Sequence, residues 1–348
     1  MSAHVDWGLG PGEPGLVSYI MPAYNAGKYI GEALESCHAQ DYRPLEAVVV
    51  DDGSTDNTPD VVKEFKEKHD DDTFSIVYIR QENAGPSAAR NNGLRQSRGE
   101  VLGFLDADDL MPEGRTALLC GALDRHGATI AYGTYESIRT SKDTAKYASA
   151  SGGKDTAKWE EVSHKPIVKF VPGLWNFLMR RELAEQAGPL SEEFTYSEDF
   201  EYVVRLRLQG PKMVRTEEVV HFYRKTPGSI TGTPKPQNAR DRLLSAKAVL
   251  KLMRDFDISD AESRRRLHHR FRRTAIECLR HGLKEEAIEA YGAAGELGRS
   301  GGKAYDKVMA LISRVPLAVP ALSWSLGVRL AVQESWVDFR NRTRRGGV

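Results

Sequence analysis

At 348 residues the chain exceeds one domain of ordinary size and suits two domains, or one with a tail. Apolar content of 40% and charged content of 28% describe a globular chain with a sizeable core. The 49 basic side chains balance 49 acidic ones, so bulk charge gives no reason to expect a nucleic-acid partner. Cys37, Cys120 and Cys278 are odd in number and form no CxxC pair, which argues against a disulfide framework or a zinc site and fits a reducing cytoplasm.

In chain order, residues 1–15 carry Asp6, Glu13 and several glycines and prolines without an apolar core, and read as a disordered arm. From 16 to 133, five apolar runs rich in β-branched and aromatic residues follow: LVSYIMP (16–22), LEAVVVDD (45–52), FSIVYIR (74–80), EVLGFLDADD (100–109) and ATIAYG (128–133). Continuous apolar runs of this length suit strands covered on both faces. Helical patterns near 26–38, 57–69, 86–97 and 113–125 separate them, with Asp56 or Asn57 able to cap the second. Strand–helix alternation of this kind predicts an α/β fold with a mostly parallel sheet, whose ligands bind at the carboxyl ends of the strands.

Residues 134–165 are rich in Ser, Lys, Thr and Gly and read as a surface insertion. A helix is expected over SEDFEYVVRLRLQG (197–210) and a strand over KMVRTEEVVHFYR (212–224). TGTPKPQNAR (231–240) breaks both periods, so a boundary is expected there, with a domain over 16–235 and a helical region over 240–348. Val315 to Val328 is the most apolar later stretch, but its 14 residues include Pro316 and Pro320. A membrane-spanning helix needs about 20 apolar residues, and none is expected.

Three carboxylate groups carry candidate chemistry. In DDGSTD (51–56), an Asp at a strand end can accept from the ring N–H of a pyrimidine base, or the motif is only a strand-to-helix turn. In FLDADDL (104–110), three carboxylates within four residues repel one another unless a cation or donors sit among them. Oxygen ligands of this kind suit Mg²⁺ or Mn²⁺; the alternative is a solvated acidic turn. In Ser197-Glu198-Asp199 the carboxylates either complement a helix N-terminus or supply a general base.

PAYNAGKYIGEAL (22–34), VVVDDGSTDNT (48–58), NAGPSAARNNGL (83–94), GEVLGFLDADD (99–109) and SEDFEYVVRL (197–206) occur in that order. As a set they closely resemble family 2 glycosyltransferases of the GT-A fold, over residues 16–231. The resemblance implies a Rossmann-like nucleotide-diphosphosugar domain, a divalent cation (Mn²⁺ or Mg²⁺) and inversion at the anomeric carbon. By position it implies that Pro22, Ala23 and Tyr24 line the base pocket and that Asp52 holds the base. Gly85 would admit close backbone approach, and Arg90 would contact the nucleotide or brace the carboxylates. Asp106 and Asp108 form the DxD pair, with Asp108 on the metal and Asp106 nearer the ribose. Asp109 serves behind them or faces the donor sugar. Asp199 is the implied base, and Glu198 positions it or meets the acceptor.

One departure stands out. Relatives carry a metal-completing histidine where this chain has Thr226, so the resemblance implies either fewer protein ligands or help from Arg224 and Lys225 with the diphosphate. His221 lies earlier and reads as a packed strand residue. Trp175 suits a sugar-stacking ring and a core residue equally. The expected donor is a UDP-sugar, and the acceptor a glycan, lipid-linked molecule or small molecule. The expected location is cytoplasmic. The six arginines between 264 and 273 suit a dimer or packing face, or peripheral contact with anionic lipid. Competing readings are nucleotidyl transfer onto a sugar phosphate, which would favour a Gly-rich GxGTR-like loop after the first strand, and a non-catalytic sugar-binding module.

Overall fold

A computed structural model of the protein describes residues 7–140, 142–143, 157–163, 165–168, 173–226 and 235–298. The chain divides into two compact units, Met1–Thr233 and Pro234–Val348.

The first unit is built on one eight-stranded sheet. Its strands are β1 (Glu13–Ala23), β2 (Leu45–Asp51), β3 (Phe74–Arg80), β4 (Gly99–Phe104), β5 (Ile130–Ile138), β6 (Trp159–Val162), β7 (Phe177–Arg180) and β8 (Met213–Arg224). Their spatial order is β3-β2-β1-β4-β7-β5-β8-β6. The pairs β1·β2, β1·β4, β2·β3 and β5·β8 are parallel, while β7 and β6 run antiparallel to their neighbours. The expected mostly parallel α/β sheet is therefore present, with β7 inserted between two parallel sets.

Helices α1 (Ile30–His38), α2 (Thr58–His69), α3 (Pro86–Gln96), α4 (Arg115–His126), α5 (Arg181–Ala187) and α6 (Glu198–Leu208) cover both faces. Alternation along β1 explains how. Val17, Tyr19 and Met21 pack with Ile30 and Leu34 of α1 and Leu119 of α4 on one face. Ile20 faces the other side, in a core with Leu94 of α3, Leu183 of α5 and Tyr202 of α6. All seven residues of β2 are buried, as a strand covered on both faces requires. Glu46 within it is matched by Ser18 Oγ at 2.7 Å and Arg98 Nε at 2.8 Å.

The path β1→β2→β3 moves outward on one side of β1, and the chain then returns to place β4 on the other side. A crevice opens at such a reversal, outside the carboxyl ends of the strands.

Two expectations are corrected. Within the expected disordered arm, residues 7–15 are built into the fold. Leu9 is buried, Arg181 donates to the carbonyls of Leu9 (2.6 Å) and Gly10 (3.0 Å), and β1 already begins at Glu13. Backbone carbonyls captured by a buried guanidinium need no apolar side chains, which is why composition did not reveal them. Residues 1–6 lie outside the described residues. The expected insertion over 134–165 gives its first residues to β5, and Trp159–Val162 pairs antiparallel with β8.

The second unit contains α7 (Pro236–Asp255), α8 (Ala261–Arg280) and α9 (Lys284–Glu296). Asp260 caps α8 by accepting from Ser263 N at 2.8 Å. Pairs between Arg240 and Glu286 and between Lys247 and Glu289 tie α7 to α9, and Arg265 and Arg266 of the basic run are both drawn to Glu262. Among the described residues no helix is long and apolar enough to cross a membrane. The Val315–Val328 stretch lies outside them.

Candidate active site

The loops after β1 and β2 are stitched together. Asn25 adopts a left-handed backbone (φ 49°), and its Oδ1 accepts from Thr55 N at 2.8 Å. The N–H groups of Asn25, Ala26 and Gly27 donate to Ser54 Oγ, Thr58 Oγ1 and Asp56 Oδ2 at 2.9, 2.9 and 3.0 Å. Tyr24 stands 55% exposed beside this seam, while Ala23 is buried and Pro22 half-buried at the end of β1.

Asp51 is enclosed and accepts from Ser54 N and Tyr78 Oη, each at 2.8 Å. Burial and the Asp51 carboxylate push the Tyr78 hydroxyl up to about 12. Asp52 grips the loop after β3: its Oδ1 accepts from Gln81 Nε2 (2.8 Å) and Ala84 N (2.9 Å), and its Oδ2 from Gly85 N (2.9 Å). A carboxylate offers about four acceptor positions, so one remains for a ligand donor. Gly85 has φ 91°, in the region that favours glycine, and leads into α3.

From α3, Arg90 reaches two carboxylates at once. Its Nη2 donates to Asp106 Oδ1 at 2.8 Å and its Nη1 to Glu198 Oε1 at 2.6 Å. Burial alone would lower the Arg90 pKa, but the two carboxylates outweigh it and hold the guanidinium charged. Burial raises Glu198, with Arg90 pulling against it and Asp199 adding to it. Ser197, just before α6, takes a left-handed backbone at φ 71°. Such a residue marks local strain, here at the turn that presents Glu198 and Asp199. Asp199 Oδ1 accepts from Phe200 N at 2.7 Å, and the carboxylate is half-buried.

The turn after β4 divides its three carboxylates. Asp109 is buried; its Oδ2 meets His221 Nε2 at 2.8 Å, and its Oδ1 accepts from Arg224 N at 2.7 Å. Burial raises Asp109 and lowers His221 well below the usual imidazole range, so the imidazole is neutral. Among the described residues, Asp108 receives only Thr226 Oγ1, at 3.1 Å. Burial, followed by the charges of Asp109 and Asp106, lifts it to about 7. Arg224 does not face outward. Its Nε donates to the Asp108 carbonyl at 2.7 Å, its Nη2 pairs with Glu32 of α1 at 2.5 Å, and it lies over the Tyr29 ring. Help with a diphosphate from Arg224 is thus corrected to clamping of the turn.

The contacts Asp109–His221, Asp108–Thr226 and Arg224–Glu32 span 112 to 192 residues of sequence. The only local signal for them was the carboxylate crowding itself, which asks for partners without naming them. Among the described residues no three His, Cys, Asp or Glu side chains form a ready cation cage. Asp108 and the second oxygen of Asp106 are nonetheless hard donors, and among the described residues Asp108 has no cation partner. This donor set fits a divalent ion that keeps waters and takes phosphate oxygens as further ligands.

The family model for glycosyl transferase family 2 matches residues 18–188. This segment belongs to glycosyltransferase family 2. Its relatives include the uncharacterized glycosyltransferase EpsJ of Bacillus subtilis, 26% identical over 63% of this chain and 64% of that protein. Glycosyltransferase GlyG of Streptococcus pneumoniae is 28% identical, over 63% of this chain and 73% of that one. With GlyA of Streptococcus pneumoniae identity reaches 40%, but over 36% of this chain and 18% of that protein. The chain thus spans less than two thirds of the length of EpsJ and under a fifth of GlyA.

Among solved structures, residues 1–349 of TarS from S. aureus in complex with UDP superpose with a TM-score of 0.60 at 19% identity, covering 92% of this chain and 91% of that one. The mannosyltransferase PcManGT from Pyrobaculum calidifontis, in complex with GDP-Man and Mn²⁺, gives 0.53 at 20% identity, covering 95% and 85%. At these identities the likeness carries the fold, and the fold is GT-A.

Proposed function

We propose that the protein transfers a hexosyl or N-acetylhexosaminyl group from a UDP-sugar to an acceptor hydroxyl, with a divalent cation, in one inverting displacement. One observation carries this reading: how the donors of the crevice are shared out. Arg90 pairs with both Asp106 and Glu198, Arg224 is committed to Glu32, and Asp109 is held by His221 and a backbone N–H. Among the described residues, Asp108 and Asp199 have neither a cation nor a second donor. A carboxylate at a strand end without a cation suits a metal ligand, and a half-buried one at a helix start suits a base.

Asp199 accepts the proton of the acceptor hydroxyl as that oxygen bonds to the anomeric carbon. The bond from this carbon to the phosphate oxygen breaks, and the nucleoside diphosphate leaves. When bound, Mn²⁺ or Mg²⁺, held by Asp108 with Asp106, would neutralise charge on the leaving diphosphate. Glu198, fixed by Arg90, orients the start of α6, and Asp109 supports the turn from behind. The open acceptor position of Asp52 suits the ring N–H of uracil, with Tyr24 against the base beside Pro22 and Ala23. UDP in TarS supports that choice of base, although PcManGT takes GDP-Man.

Nucleotidyl transfer is disfavoured by the loop after β1. All three N–H groups from Asn25 to Gly27 are already bonded inside the fold, so none is free to cradle phosphate. We take residues 16–235 as the catalytic domain and 240–348 as an accessory helical region. For that region we keep a packing or dimer face, Arg264 being already tied to the carbonyls of Leu297 and Glu296. Three buried free cysteines support a reducing, cytoplasmic location.

The test is a thermal-shift and product-release panel of nucleoside diphosphosugars with Mn²⁺. A UDP-sugar should stabilise the protein and release UDP, and EDTA should stop release. Stabilisation only by sugar phosphates and free nucleoside triphosphates would overturn the reading.

A further inference from the structure

Three aromatic rings from three segments meet beside the carboxylates and take no part in the chemistry above. Tyr135 of β5 lies opposite His221 of β8, and Ser137 opposite Tyr223, so these side chains share one face of the sheet. Trp175 covers that face. Its indole stacks on the buried His221 ring at 4.6 Å and 25°, meets Tyr135 nearly at right angles (4.7 Å, 79°), and lies 6.1 Å from Tyr223.

Trp175 is firmly seated. Arg115 Nη2 donates to its carbonyl at 2.8 Å, and Gly173 makes room for the ring, because a Cβ there would fall 2.5 Å from the indole. Yet the cluster is not closed. Tyr135 is 46% exposed, Trp175 and Tyr223 are half-buried, and the indole N–H has no hydrogen-bond partner among the described residues. At a half-open ring cluster, an indole N–H is available to a ligand oxygen.

We propose that Tyr135, Trp175 and Tyr223 form a platform for a hexopyranose ring of the acceptor, which makes the acceptor a glycan; this rests on the transferase reading above. A pyranose has C–H groups that pack on an aromatic ring and hydroxyls at its rim that accept from an indole N–H. The platform is indexed to the reaction through His221, which stacks on Trp175 and holds Asp109 next to Asp108.

The full-length protein, with UDP and Mn²⁺, is applied to an array of hexopyranose-terminated glycans, and UDP affinity is measured separately by calorimetry. At least one glycan should bind, and Tyr135→Ala should weaken it about tenfold, the worth of one stacked ring, with UDP affinity unchanged. Trp175→Phe, which keeps a ring on His221 but removes the N–H, should weaken the same glycan by a smaller factor. No glycan bound by a protein that still binds UDP would overturn the platform and leave the donor reading standing. A Tyr135→Ala protein that binds the glycan as wild type does would also overturn it. Failure to bind any nucleotide would overturn the transferase reading and, with it, the assignment of the rings to an acceptor.

Discussion

The turns after β2 and β4 each hold a cluster of carboxylates at the carboxyl end of a parallel strand, and the fold treats them in opposite ways. After β2, Asp51 and Asp52 are met almost wholly by neutral donors: backbone N–H groups, the Tyr78 hydroxyl and the Gln81 amide. Those bonds pin two loops, and the carboxylates serve chiefly as struts. After β4, one guanidinium, from Arg90, reaches Asp106, Asp109 takes an imidazole and a backbone N–H, and Asp108 a single hydroxyl, so the donors do not go round. Asp108 is left over among the described residues, and burial, with the charges of Asp109 and Asp106, lifts its pKa to about 7. Well-satisfied carboxylates build a site; a deliberately under-satisfied one is available for a ligand.

The largest expected effect tests the second kind of turn through its link to α6. Asp199→Asn should lower kcat by roughly 10²–10⁴-fold, the usual worth of a general base, while UDP still binds in calorimetry. Loss of UDP binding as well would make Asp199 a strut like Asp51.

Next comes Asp108. Its folded pKa lies above its unfolded value, so the folded state holds the extra proton between about pH 4 and 7, and stability falls as pH rises through that window. Below it both states are protonated and there is no penalty; above it the penalty is complete. Asp108→Asn should therefore raise the melting temperature of the metal-free protein at pH 8, by at most about 4 kcal/mol of stability, and leave it unchanged near pH 3.5. The same variant should lose stabilisation by Mn²⁺.

Asp51→Ala should do the reverse, costing about 3 kcal/mol in urea denaturation by orphaning Ser54 N–H and the Tyr78 hydroxyl. Tyr78→Phe is the mildest, at about 1.5 kcal/mol for a single bond to a carboxylate, with Mn²⁺ affinity unaltered. Equal sensitivity of Mn²⁺ binding to changes in the two turns would erase the distinction between them.

The strand runs were legible because burial on both faces leaves an unbroken apolar record, as in β2, where all seven residues are enclosed. Helix α3 was legible from the Pro86 start and the Gly85 turn. What the sequence reading lacked were elements without an apolar record. The contact of Leu9 and Gly10 with Arg181 rests on carbonyls, which every sequence carries alike. Strand β6, four residues at the sheet edge, shows only half-buried and exposed positions and so no burial pattern to read.

For the site, the sequence by itself determined which carboxylates exist and that they gather at strand ends, since strand, turn and helix periods are local properties. It could not decide which of them stays free. That outcome depends on Arg90 reaching both Asp106 and Glu198, on His221 taking Asp109, and on Arg224 turning back to Glu32. Electrostatic partnership acts over a few ångströms of space and ignores chain distance, so only the tertiary structure could assign the donors and leave Asp108 and Asp199, among the described residues, with one each.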